Sequence, residues 1–297
     1  MPATTAIQAG KAPAKPKKKS QMKLFLKRFL RNKTVIFSLI ILSVIVLLCV
    51  FAQYVTPYGY EQIDTTSLNQ KPSLAHLCGT DNLGRDVFTR LLYGGRYSLR
   101  IGIQATAVSI LFGVILGSLA GYFGGVVDIV IMRIMDVTTA IPPILFAIVI
   151  ASILGTGFNN TVLALAITGT WGYARMLRAS ILGVRRMEYL EAAAEINASP
   201  LRIIVRHLLP NSFSPLIVQA TMGVGQQILI AAGLSFIGLG IQPPNPEWGA
   251  MLTAGRAYIR DYPHLVIFPG IAIALTVLAL NLLGDALRDA LDPKLKN

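Results

Sequence analysis

Long apolar runs alternate along this chain with short segments rich in charge, proline or glycine. About 18–20 mostly apolar residues carry an α-helix across the hydrocarbon core of a bilayer. Six runs approach or exceed that length, at about residues 35–53, 99–122, 129–154, 161–182, 213–237 and 264–284. Backbone groups in lipid must find partners within the protein, so each run is expected as a helix. The pattern predicts an all-α, polytopic membrane protein with six transmembrane helices. Ahead of the first run, residues 1–21 are rich in Ala, Pro, Lys and Thr without apolar periodicity, as in a disordered basic leader. From 22 to 34, Leu24, Phe25, Phe29 and Leu30 fall on one helical face among basic residues. That face suits an amphipathic helix lying on the membrane. The first helix and a long outward loop then fill 35–98, a core of helices fills 99–284, and 285–297 forms a tail.

Composition agrees with the pattern. Of 297 residues, 54% are hydrophobic and 14% charged, against about 25% charged in soluble domains. The net charge of +13 invites a nucleic-acid reading, but its distribution points elsewhere. With the N-terminus inside, 20 Lys and Arg fall on the inner side and 7 on the outer. This is the positive-inside bias, and it puts both termini in the cytoplasm. The charge then reports topology and contact with anionic membrane lipids, and no nucleic-acid partner is expected. Cys49 and Cys78 have no CxxC neighbour, which gives no disulfide or metal signature.

Four features stand out inside the membrane. Gly113, Gly117 and Gly121 recur every four residues, a spacing that lets helix backbones pack closely in lipid. Pro142 and Pro143 interrupt the third run, so a kink or local unwinding is expected. It either lines a path or only fits packing. Gln219, Gln226 and Gln227 should face protein or a water-filled cavity, lining a translocation path or bonding across helices. Arg133 and Asp136 lie three apart on the third run and either pair with each other or serve a gate or partner contact.

The outward loops have their own signals. Asp81 and Gly84 suit a turn, and from Asp86 the residues Val87, Phe88, Leu91 and Leu92 mark a short helix expected along the outer membrane face. Pro243, Pro244 and Pro246 stiffen the second loop, and Trp248 suits the interface. Both loops form either a surface that meets a donor of substrate or a plain lid over the bundle.

The segment 188–211 is a polar element between two spans on the cytoplasmic side. Strong helix formers run from Glu188 to Ile196, and Asn197 tolerates the left-handed conformation that ends helices. Ser199 can cap a second helix with Pro200 at its first position, and Pro210 is expected to stop it near Leu208. The stretch EAAAEINASPLRIIVRHLLPN resembles the EAA loop of ABC importer permeases. Glu191, Ala192, Ala193, Leu209 and Pro210 fall in register; Asn197 replaces the family glycine and His207 the isoleucine. GTDNLGRDVFTRLLYG, LSFIGLGIQPPNPEWGAML and LNLLGDALRDALDPKL resemble the dipeptide/oligopeptide branch in the same order.

The resemblance implies a type I permease fold with cytoplasmic coupling helices in a bacterial inner membrane. It implies a second, homologous permease, two ABC ATPase subunits docked through the EAA loops, and an extracytoplasmic binding protein that delivers peptides, or else glutathione, a nickel or metal chelate, or an opine. ATP and Mg would be bound by the ATPases and no cofactor by this chain. No P-loop, HExxH or GxSxG motif occurs, so enzyme chemistry is not expected here. His76, His207 and His264 lie far apart along the chain on different expected sides, so no shared metal site is expected. A secondary transporter or channel would want a carboxylate at mid-membrane, and every Asp and Glu falls near an expected end or in a loop.

Overall fold

The computed structural model describes residues 29–184 and 199–291. Ten helices and two short non-α turns carry the fold, and the one bridge of β type among the described residues joins Thr80 and Asp86. The leader and most of the expected 22–34 helix fall outside the described residues. Residues 29–31 are helical, Asn32 is extended, and its side chain accepts from Thr34 N at 2.9 Å to start α1, Lys33–Val50. A short α2, Ala52–Val55, follows.

Helix α3, Val87–Phe123, is continuous over 37 residues, roughly 55 Å at 1.5 Å per residue. This corrects the expected surface helix after Asp86, which is the first part of the spanning helix itself. No glycine or proline turn intervenes to break it, because Gly94 and Gly95 are packed within the helix. Asp86 starts it by accepting from Thr89 N and Oγ1, both at 2.7 Å, satisfying an otherwise unpaired first-turn amide. Gly124, at φ +66°, ends it.

The third expected span is two helices, α4 (Gly125–Thr139) and α5 (Pro143–Leu154), bent by 92°. Pro142 is extended and Pro143 opens α5, so the proline pair gives a sharp break. The chain continues through α6 (Phe158–Val184), α7 (Pro200–Ile203), a π turn (Ile204–Leu208), α8 (Leu209–Phe236), α9 (Trp248–Gly255) and α10 (His264–Leu291).

Among the described residues, four helical segments are long and apolar enough to cross a membrane: α1, α3, Pro200–Phe236 and α10. The bent α4–α5 pair makes a fifth if it is one span. The remaining expected span, 161–182, is helical within α6, but Thr161, Thr168, Thr170, Arg175 and Arg178 keep α6 out of that class.

The α3–α6 pairing is the most extensive in the bundle. Gly113, Gly117 and Gly121 all face α6 and are buried. A Cβ at Gly113 would lie 2.5 Å from Tyr173 Cβ, one at Gly117 2.6 Å from the Ala174 carbonyl, and one at Gly121 2.8 Å from Ile181 Cγ2. Such distances are closer than atoms pack, so at these points only hydrogen fits. Further along α3, Gly102 receives Ile228 of α8 and Gly95 receives Trp248 of α9.

Gly117→Val is expected to lower stability by about 1–3 kcal/mol, the range for overpacking. Gly172→Ala, on the same helix pair but with open space around it, is expected to be neutral. Melting in detergent followed by size-exclusion chromatography checks both; equal melting of the two variants would refute the contact.

Candidate functional site

The EAA loop divides at the edge of the described residues. Glu191, Ala192, Ala193 and Asn197 lie outside them. The described arm begins at Ser199, extended at φ −61° and ψ 145°, with Pro200 first in α7. The Ser199 side chain makes no capping hydrogen bond, unlike the sequence expectation. The expected stop at Pro210 is also absent: Leu209 and Pro210 sit in the first turn of α8, and helix runs on to Phe236. The π turn supplies the physical reason. Proline has no N–H, and in an α-helix its ring clashes with the carbonyl four residues back. Here the preceding turn widens, with Leu209 N donating to the Ile204 carbonyl five residues earlier. Asn211 Nδ2 donates to the His207 carbonyl at 2.6 Å. The wider turn passes the helix through Pro210 in place of ending it.

This arm is anchored on α6. Ile203, Ile204 and Leu208 form one buried cluster with Leu177 and Ile181, the same stretch of α6 that packs on Gly117 and Gly121. On α6, Arg175 and Arg178 reach α4. Arg178 donates through Nε and Nη2 to both carboxylate oxygens of Asp128, a forked geometry that favours arginine. Arg175 Nη2 lies 3.0 Å from Asp136 Oδ1 and 3.3 Å from Thr139 Oγ1. Asp136 therefore pairs across helices with Arg175, and the expected local pair with Arg133 does not form. Sequence spacing could not reveal these partners, which lie 50 and 39 residues apart.

The interior residues do not gather at one place. Pro142 and Pro143 are exposed beside Ile144, which lines a groove of about 750 Å³ between α5, α8 and α10. Its walls include Leu229, Gly233, Phe236 and Val277, with Asn281 the one amide. Gln219 lines a separate cavity of about 520 Å³ with Met176, Met222 and Arg288. Gln226 is exposed and lines neither. Gln227 is buried and donates to the Leu165 carbonyl at 3.4 Å, bonding α8 to α6.

At the other end of the bundle, the two loops expected to face outward close on α3. Asp81 Oδ1 accepts from Leu83 N and Arg85 N, at 2.9 and 3.0 Å. Gly84, at φ +75°, passes against the Asp64 carbonyl, where a side chain has no room. Arg90, buried on α3, donates to the Tyr60 carbonyl at 2.9 Å. Tyr97 donates to Asn245 at 2.9 Å. Glu247 is fully buried; it accepts from Ser98 Oγ at 2.8 Å and Ala250 N at 2.9 Å, capping α9 while fixing the second loop to α3. Sequence reading passed over Glu247 because nothing local announces its burial. His76 pairs with Asp86 at 2.9 Å, and His264 lies against Gly79, so these two histidines share one loop assembly despite their separation in sequence.

A family model described as the binding-protein-dependent transport system inner membrane component matches residues 113–297. The chain belongs to that family. A second model, the N-terminal transmembrane domain of oligopeptide transport permease C, matches residues 20–72. This permease is 47% identical to the glutathione transport system permease protein GsiD of Pectobacterium atrosepticum, over 92% of this chain and 91% of the relative. It is 45% identical to the dipeptide transport system permease protein DppC of Alkalihalophilus pseudofirmus, over 91% and 89%. The inward-facing methionine ABC transporter MetNI shares the fold at 17% identity and a TM-score of 0.55, covering 68% of this permease and 96% of that chain. The fold is all-α and of the type I ABC importer kind, and the permease is a multi-pass inner membrane component of an ABC importer.

Cys78 lies in the loop between α2 and α3 and is buried in the apolar cluster that also holds Cys49 and Trp248. Burial, with a smaller push from Asp86, raises its thiol to about 11. A raised thiol pKa keeps the reactive thiolate scarce at neutral pH. Maleimide labelling of Cys78 in a Cys49→Ala variant is therefore expected to run at least about tenfold slower than for an exposed thiol. Its rate should keep rising with pH past 9 instead of levelling there. Rapid labelling that levels near pH 8.5 would contradict the buried environment.

Proposed function

We propose that this permease forms half of the translocation path of an ATP-driven importer for peptide-type solutes, dipeptides and glutathione included. The observation that carries the reading is its identity of 45–47%, over nine-tenths of its length, to relatives named for glutathione and dipeptide transport. Glutathione is itself a small peptide, so the two relatives' substrates share a chemistry of carboxylates, amide bonds and a free amine.

A second, homologous permease would complete the path. Two ATPases would dock on the EAA loops, with Glu191 offering a carboxylate to a partner cation and Ala192 and Ala193 allowing close approach. Asn197 would turn the chain, and Leu209 and Pro210 would lead it into α8. Through that contact, ATP binding would favour one arrangement of the helices over another, as any ligand-driven switch requires. ATP and Mg belong to those ATPases. A binding protein would dock at the face built by the outward loops, where Tyr97, Ser98 and Glu247 hold the second loop to α3. The excess of Lys and Arg on the inner side supports cytoplasmic termini.

Purification from native membranes in mild detergent, followed by mass spectrometry, is expected to recover a second permease, P-loop ATPases and a binding protein. That binding protein is expected to gain thermal stability with dipeptides or glutathione; stabilisation only by a nickel chelate or an opine would replace the substrate class. Glu191→Lys is expected to leave insertion intact and cut uptake by an order of magnitude or more, as loss of a charge-paired interface anchor does. Full uptake by a stably inserted Glu191→Lys protein would refute the coupling role.

A further inference from the structure

We propose that the Asp128–Arg178 ion pair, seconded by Asp136–Arg175, is the mechanical link through which movement at the EAA loop reaches the helix break at Pro142–Pro143. The inference rests on the coupling role assigned above and names the residues that extend it into the membrane.

The link begins at the loop's described arm. Ile203, Ile204 and Leu208 are buried against Leu177 and Ile181 of α6, so displacement of the arm loads that end of α6. Arg175 and Arg178 project from the same two turns and hold α4. Helix α4 also packs on α3, to which Gly124 joins it, but it buries little. Met135 is its one buried residue, while Val126, Ile129, Val130, Ile134 and Val137 are each at least half exposed. Both of its ends are joints. At one, Gly124 and Gly125 have φ of +66° and +51°. At the other, the chain turns by 92° through the Pro142–Pro143 pair. A short helix between two joints, with one face on α3 and two ion pairs to α6, is tied to the motion of α6 through those pairs.

The pairs are unequal. Arg178 engages Asp128 with two donors, and both side chains are mostly buried. Arg175 and Asp136 are each more than half exposed, and exposed pairs contribute little. The inner pair is therefore the one to test. At the opposite end of α4, past Asp136 and the proline pair, lies the groove lined by Ile144, the second residue of α5. Shifting α4 re-aims α5 and with it one wall of that groove. Asp128 and Arg178 are positioning residues: they act through α4 and α5.

The test uses the whole importer in proteoliposomes, with tritiated glutathione and alanyl-alanine as probes and ATP hydrolysis measured alongside. Asp128→Arg and Arg178→Asp singly are expected to cut uptake at least tenfold while hydrolysis stays within threefold of the unmodified importer. The double exchange, Asp128→Arg with Arg178→Asp, is expected to recover at least half of the uptake, because the pair re-forms with its polarity reversed. Should a single reversal fail to insert, Asp128→Asn keeps the shape and removes the charge. Uptake within threefold for the singles, or no recovery in the double exchange, would overturn the link.

Spin labels at Ile134 and Leu182, both exposed, separate this outcome from failure of the transport reading. Their distance should be the same in resting and vanadate-trapped importer, should broaden in Asp128→Arg and should narrow again in the double exchange. A distance that changes between the two states in the unmodified importer would overturn the link even if uptake is normal. If the unmodified importer takes up neither probe, the substrate class fails and the distances alone decide the link.

Discussion

Contact between the backbones of α3 and α6 is the constraint on which the rest of the bundle depends. In lipid there is no gain from hiding one apolar helix against another, so association rests on packing and on polar contacts. Three glycines one turn apart leave gaps along that side of α3, and Tyr173, Ala174, Leu177 and Ile181 settle into the space. The same helix takes Ile228 at Gly102 and Trp248 at Gly95. It is thus a spine against which α6, α8 and α9 are each positioned by the absence of a Cβ. Once α6 is set, so are the apolar patch that receives the loop arm and the two arginines that hold α4.

Much of this was legible in the sequence because its causes are local. Glycines at four-residue spacing announce close packing whatever they pack against. Asp86 announces a helix start because a short side-chain acceptor three residues before an unpaired amide acts within one turn. The proline pair announces a break for equally local reasons. What stayed hidden depends on partners distant in the chain. Asp136 has Arg133 within reach on its own helix yet pairs with Arg175, because the 92° bend turns α4 across the foot of α6. Pro210 was read as a helix stop by a rule that assumes α geometry, and a π turn evades that rule. The burial of Glu247 follows from how a loop folds onto α3, and its neighbours in sequence say nothing of it. A coupling role for residues 191–197 is suggested by family resemblance alone, since a glutamate beside alanines suits a connector equally well.

The two cavities differ in chemistry, and the difference bears on where selectivity resides. Gln219, with Met176, Met222 and Arg288, gives the smaller one an amide and a guanidinium. The larger groove has apolar walls apart from Asn281. A peptide carries both charges of its termini, and moving them out of water without partners costs several kcal/mol. A groove of this kind offers those charges no compensation, so it makes a poor resting place for such a solute. Weak retention is what a path needs if cargo is to leave as readily as it enters. Discrimination between one small peptide and another must then come from groups that pair with its termini. Apart from Asn281 those groups are absent from this groove, whereas the smaller cavity holds Gln219 and Arg288. If the groove lies on the path proposed above, a change in its walls should alter how fast cargo passes more than which cargo passes.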